Sequence, residues 1–254
     1  MRAIVILLLF IATSTSFATE NTVFIGQVRV DDARTITHSA NHLQYNITHS
    51  NPDLLQDYLV EWFPNLDTHD ANTSIRVDNY PLASKAFNKE RHLASTFLVD
   101  FTEPDIQELI PAIESAHGKT PSAIALEQFV FDYISDKNFA NGFDIASQTA
   151  RSREGDCTEH AVLLTALLRM YGYPARIVTG VYVDLSNTIN AYGHAWTEYY
   201  DSQGWVGLDA TQISEAVDRQ HIPLAAVEDE SIGFSLGLIK LLQTQAIEKI
   251  VVTN

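Results

Sequence analysis

Cysteine is nearly absent: Cys157 is the single thiol in 254 residues. One sulfur allows no intramolecular disulfide, and neither a zinc site nor an iron–sulfur cluster is built around one thiolate. Positive charge is scarce as well, with 16 Lys and Arg against 32 Asp and Glu and a formal net charge of -16. Such a surface repels a phosphate backbone, which removes nucleic acid from the expected partners. No dense carboxylate loop of the D-x-D-x-D-G type occurs, so no calcium requirement follows, and the residues call for no metal and no cofactor. Internal repeats and low-complexity linkers are missing too. What is there, 46% hydrophobic and 19% charged, is the composition of a globular chain. At roughly 150 residues per domain the length allows one large domain or two modest ones, with a core that must hold without staples.

The first residues read as a secretory signal peptide. Met1 and Arg2 give a positive start, Ala3 to Ala12 is an apolar run, and Ser16-Phe17-Ala18 places small residues at the -3 and -1 positions of a cleavage site. The run is about half of the ~20 residues a spanning helix needs, which argues against an anchor. The expectation is cleavage after Ala18 and a mature protein that is exported, periplasmic or secreted, with no stable membrane anchor. No later apolar stretch is long enough to span.

Residues 19–101 carry β-prone runs at Thr22 to Val30, Ser74 to Val77 and Ser95 to Phe101 between polar stretches, so a β-rich N-terminal region is expected there. Asp53 to Trp62 has one helical stripe in Leu54, Leu55, Tyr58 and Leu59. The histidines of this half, His38 and His42 foremost, sit in polar, non-periodic sequence and read as solvated loop residues rather than ligands. Composition shifts near residues 102 to 120, and the predicted catalytic domain is 102–254. Pro104 to Ala116 reads as a helix with Thr102 as N-cap, and Pro121 to Lys137 as another, capped by Thr120, with Leu126, Phe129, Val130, Tyr133 and Ile134 on one face. Asn141-Gly142 breaks the chain after it.

The chemistry concentrates around Arg153-Glu154-Gly155-Asp156-Cys157-Thr158-Glu159-His160, which runs directly into the nearly all-apolar stretch Ala161 to Tyr171 with Gly172 as its stop. Cys157 therefore opens a buried helix, where unpaired amides and the positive end of the macrodipole favour thiolate. Gly155 allows a sharp turn just before it. Strand-like runs follow at Ala175 to Asp184, Gly193 to Tyr200 and Gly204 to Ala210, read as an antiparallel meander. Pairing Tyr200 with Gly204 sets His194 opposite Ala210, one position from Asp209. A thiol at a helix start, a histidine on one strand and an aspartate on the next are the parts of a nucleophile, its proton acceptor and the group that orients the imidazole.

The blocks Gly155-Asp156-Cys157-Thr158-Glu159-His160-Ala161, Gly193-His194-Ala195-Trp196-Thr197-Glu198 and Gly204-Trp205-Val206-Gly207-Leu208-Asp209-Ala210-Thr211 resemble, in order, the three signature blocks of the transglutaminase-like superfamily, whose core is similar to papain-type thiol proteases. Tyr173-Pro174-Ala175-Arg176 also looks like that family's turn and strand after the nucleophile helix. The resemblance covers about residues 120 to 225. It implies an α+β fold, a nucleophile helix packed on an antiparallel sheet, with Cys157 as nucleophile, His194 as general base and acid, and Asp209 as orienting acid. It also implies an exported cysteine-dependent acyl hydrolase or transferase working through a thioester on peptide or side-chain amides. Hydrolysis is favoured, since no amine-binding site is visible, and the expected partner is a protein or peptide substrate, cell-wall peptide among them. The alternative is a catalytically inactive binding or scaffold module.

Rival assignments sit close by. His160, three residues after Cys157, is the competing base, although His194 has a separate strand and a carboxylate partner. Asp156 and Glu159 are expected to complement the helix start. Trp196 and Trp205 read as core aromatics that could also wall a cleft, and the Cys157 backbone amide is the one candidate oxyanion donor.

Overall fold

The computed structural model describes residues 28, 30–31, 42–78, 87–137, 144–185, 190–213, 217–227 and 246–253. The signal peptide, most of the Thr22 to Val30 run, His38 and Asn141-Gly142 lie outside the described residues.

Two antiparallel-rich sheets and a layer of helices make up the fold. The first sheet has the strand order β1 (Val30–Asp31), β9 (Ile247–Thr253), β2 (Leu43–His49), β4 (Asn72–Val77), β3 (Asp67–His69). Strict alternation in β2 turns Leu43, Tyr45, Ile47 and His49 inward. Its partners follow the same phase, Tyr45 opposite Ile75 on β4 and opposite Val252 on β9. The compositional border near residue 101 is thus crossed by hydrogen bonds, because the last described strand completes the N-terminal sheet. Helix α1 (Pro52–Leu59) packs Leu55 and Leu59 inward, and the Asn51 side chain caps it by accepting from the Leu54 N–H at 3.2 Å.

The second sheet is fully antiparallel in the order β7 (Trp205–Leu208), β6 (Asn190–Tyr200), β5 (Ala175–Asp184), β8 (His221–Ala226). The predicted meander is present and carries one further strand. Its register is one residue off the expectation: Tyr200 pairs with Trp205, not Gly204, and the ladder stops at Thr197 with Leu208. The reason is the turn, where the Asp201 carboxylate accepts the N–H groups of Gln203 and Gly204 at 2.6 and 2.9 Å and Gly204 takes φ of 153°.

Helix α7 (Cys157–Met170) lies against β6 and β5. Leu163, Leu164, Leu167 and Leu168 are fully buried, each contributing about 2 kcal/mol of apolar transfer. Thr197 donates to the Ala161 carbonyl at 3.0 Å, which leaves Thr165 to donate to Thr197 at 3.3 Å. The Arg169 guanidinium donates to the carbonyls of Ala175 and Ala94 and ties the end of α7 to β5. A second core joins Leu43, Tyr45 and Ile47 of the first sheet to Val178, Trp196 and Ile222 of the second. Trp196 and Trp205 are core residues, as expected. Arg176 on β5 pairs with Glu198 on β6 at 2.7 Å in full burial, its guanidinium 4.0 Å above the Trp205 ring.

Several expected elements differ. The run from Pro104 to Ala116 is two helices, α3 (Pro104–Gln107) and α4 (Ile110–His117), and Glu103 rather than Thr102 stands at the N-cap. Pro111 explains the break, since it has no N–H to donate to Gln107 and fits only the first turn of a new helix. Helix α5 (Ala123–Tyr133) is shorter than Pro121 to Lys137 and is capped by Ser122, whose hydroxyl accepts from the Ala125 N–H, not by Thr120. Ser95 to Phe101 is no strand: Thr96 and Val99 close a turn on each other, and Leu98 and Val99 plug the helical core from it. His49 and His92 are buried rather than solvated. His49 accepts from the Asn51 N–H, and His92, in the short α2 (Lys89–His92), stands edge-on to Trp205 at 4.8 Å. Helix α6 (Ala146–Ser152), also unforeseen, leads into the turn before Cys157.

Candidate active site

The start of α7 is fixed by a complete capping box. Asp156 accepts from the N–H and hydroxyl of Thr158, both at 2.8 Å, while Glu159 reaches back to accept from the Asp156 N–H at 2.9 Å. Glu159 also accepts from the Asp144 N–H at 2.9 Å, joining the turn before α6 to the turn before α7. Burial first, then the nearby Asp156 charge, pushes the Glu159 carboxyl up to about 7. Gly155 has φ of 153°, and a Cβ there would stand 2.3 Å from the Glu159 Cβ, so only glycine fits above the box. Asp156 and Glu159 are therefore helix-start residues, as expected.

Cys157 keeps partial exposure. The groups that act on its thiol from nearby are the His194 imidazole, the Ala195 backbone N–H and the Asp156 carboxylate. Burial pushes the thiol above its ordinary range, with the Asp156 charge adding to it, while His194 and the Ala195 N–H pull it down. Burial, the largest influence, thus works against the thiolate that the helix start was expected to favour, and the Asp156 charge adds a smaller push in the same direction.

His194 lies within the buried stretch of β6 and donates Nε2–H to Asp209 Oδ2 at 2.8 Å, which leaves Nδ1 as the atom available to the thiol. Burial pulls its pKa down, but Asp209 and the Cys157 sulfur outweigh it and push it up to about 10. Asp209 follows the last paired residue of β7. Counting on in the observed register sets it opposite Trp196, so His194 is its diagonal neighbour on the same face of β6. Burial works against the Asp209 charge, yet His194 and His221 hold the carboxyl well below the usual range. The structure thus brings all three sequence-predicted residues together. His160, the rival, is spent differently: its Nδ1–H donates to the Asp156 carbonyl at 2.6 Å, and burial pushes its pKa down to about 4, leaving a weakly basic neutral ring.

Three residues around Asp209 were not foreseen in their roles. Thr211 gives its N–H and hydroxyl to Oδ1 at 2.9 and 2.6 Å. Glu127 on α5 accepts the Asp209 backbone N–H at 2.7 Å, and burial pushes its own carboxyl up to about 7. His221 at the start of β8 brings Nε2 to 3.3 Å from Oδ2. Thr211 was visible in the third block, whereas Glu127 and His221 come from segments with no motif. The ring nitrogens of His194 and His221 and an Asp209 oxygen lie within 4.8 Å of one another, and hydrogen bonding to the shared carboxylate accounts for that closeness.

Residues 107–210 match the model of the Transglutaminase-like superfamily, a stretch that begins earlier and ends earlier than the motif blocks suggested. That stretch, under half of the chain, is similar to the superfamily, and the α7-on-antiparallel-sheet core is the α+β architecture expected from the resemblance. Among curated proteins, a protein-glutamine gamma-glutamyltransferase of Pseudomonas aeruginosa is 28% identical over 123 residues, which is 42% of this chain and 18% of that protein's length. This chain therefore spans under a fifth of that relative. Among solved structures, a candidate cysteine protease of Cytophaga hutchinsonii covers 90% of this chain and 84% of its own, at 14% identity and a TM-score of 0.49. The periplasmic domain of TgpA from Pseudomonas aeruginosa covers 74% and 76%, at 19% identity and a TM-score of 0.43.

Proposed function

We propose that this protein is an exported thiol enzyme that cleaves or transfers acyl groups at peptide or side-chain amides. The observation that carries the reading is the buried His194–Asp209 pair, hydrogen-bonded at 2.8 Å, acting on a Cys157 that is held at a capped helix start. In the first step Cys157 passes its proton to His194 Nδ1 and the sulfur attacks the amide carbonyl carbon. The imidazolium returns that proton to the departing amine, leaving a thioester on sulfur. Asp209 keeps Nε2–H on His194, so the ring faces sulfur with the correct nitrogen and its positive state is matched by one buried carboxylate. Water, activated by the same imidazole, then releases the acid. Hydrolysis is favoured over transfer because the sequence reveals no amine-binding site.

Export is part of the proposal and rests on the signal-like Met1 to Ala18. Among the described residues no helix is long and apolar enough to cross a membrane. The test is turnover of a peptide and peptidoglycan-fragment panel, with and without an added primary amine. The Cys157→Ala variant should fold normally and lose turnover by several orders of magnitude. Amine incorporation would turn the reading from hydrolysis to transfer, and activity retained without the thiol would refute it. An inactive module would leave every substrate untouched.

A further inference from the structure

We infer that His221 is a positioning residue of the relay: a neutral imidazole whose Nε2–H holds the Asp209 carboxylate in place for His194. This rests on the thiol-enzyme reading and adds a residue that lies 64 positions from the nucleophile in sequence and outside all three motif blocks.

The tautomer follows from hydrogen-bond arithmetic. Asp209 is buried and ionised, so its oxygens only accept. Oδ1 is filled by the two Thr211 donors, and Oδ2 faces His194 Nε2 at 2.8 Å and His221 Nε2 at 3.3 Å. Both ring nitrogens must carry hydrogen, and the carboxylate then has four donors for its four lone-pair positions. On the other side of the His221 ring, Nδ1 faces the Asp218 backbone N–H at 3.5 Å, which makes it the acceptor. A tight turn presets this arrangement, since the His221 N–H donates to the Asp218 carbonyl at 3.0 Å and the Gln220 N–H to the Asp218 side chain at 2.8 Å.

The surroundings keep the ring neutral. Tyr182 on β5 packs at 4.9 Å and Trp196 on β6 at 5.1 Å, and the titratable groups that face it are Asp209, His194, Asp218 and Tyr182. Burial is the largest influence and holds the His221 pKa below its ordinary value, with His194 acting in the same direction. One carboxylate thus meets two imidazoles, only one of which takes up charge. The negative charge of Asp209 remains available to the His194 imidazolium, while His221 fixes where Oδ2 points.

The test uses donor placement. The side-chain nitrogen of Gln overlays imidazole Nε2, whereas that of Asn overlays Nδ1 and falls short of Oδ2. In the full-length mature protein, alkylation of Cys157 by iodoacetamide at neutral pH should slow about tenfold in His221→Asn and stay within about threefold of wild type in His221→Gln. The downfield proton resonance of His194 Nε2–H should move in the Asn variant and return in the Gln variant. Equal alkylation rates in the two folded variants, with the resonance unmoved, would overturn the proposal. Failure of the underlying reading looks different: the wild-type thiol would then react as slowly as the thiol of His194→Ala. The resonance still decides in that case whether His221 acts on His194 through Asp209.

Discussion

Replacing Gly155 by Ala should damage both stability and thiol reactivity, because this one position carries the geometry before Cys157. A side chain at φ of 153° costs on the order of 1–3 kcal/mol in backbone strain alone. The new Cβ would also stand 2.3 and 2.5 Å from Cβ and Cγ of Glu159; a Cβ cannot rotate away, so the turn itself must shift and the Glu159 carboxylate leaves its place. Its departure strips the acceptor from the Asp156 and Asp144 N–H groups. A buried donor left unpaired costs roughly 1–3 kcal/mol. With two such donors the sum is at least about 3 kcal/mol, or a fall in Tm of roughly 6–12 °C or more for a chain of this size. Gly118→Ala is the internal control: φ there is 81°, with nothing within 4 Å of an added Cβ, so only the strain of about 1–2 kcal/mol applies. Thermal melts of both variants, read beside the iodoacetamide rate at Cys157, make the comparison. Equal losses in the two variants, or a Gly155→Ala protein with wild-type reactivity, would refute the idea that the capping box sets the nucleophile.

Two further predictions concern pH. His160 has a folded pKa of about 4, below its ordinary value, so its contribution to stability is present above pH 6.5 and is lost as pH falls towards 4. A shift of that size corresponds to about 3 kcal/mol, so the denaturant midpoint of His160→Gln should depend on acid much less than that of wild type. An identical acid dependence would contradict the buried neutral ring. Glu127 works in the opposite direction: its folded pKa is raised to about 7, so its contribution is present below about 4.5 and is lost as pH rises through 7. Glu127→Gln keeps an acceptor for the Asp209 N–H, and should flatten the decline in stability between pH 5 and 8 while leaving Cys157 alkylation near wild type.

The parts legible in the sequence are those decided locally or by motif. A cysteine before an apolar run, with Asp156 and Glu159 at capping-box spacing, is enough to place the thiol at the mouth of α7. The meander that carries His194 and Asp209 is equally local, and the one-residue error in its register came from turn chemistry at Asp201 that spacing alone does not reveal. Contacts made across long stretches of chain were not legible. His221 reaches Asp209 because β8 pairs with β5 rather than with its sequence neighbour β7, and β9 returns to β2 across almost the whole chain. Glu127 was read only as one member of a helix, because what gives it a role is a backbone N–H on another element. Pro111 shows the reverse case, a local signal that the apolar pattern of Pro104 to Ala116 overrode in the reading but not in the fold.

The pH profile of iodoacetamide alkylation at Cys157, measured on wild type and on His194→Ala, is the most direct test of a sulfur that ionises by handing its proton to an imidazole. The account predicts rapid alkylation at neutral pH in wild type and, in the variant, a slow reaction that gains speed only in the alkaline range of an ordinary or raised thiol. Superimposable profiles for the two proteins would contradict it.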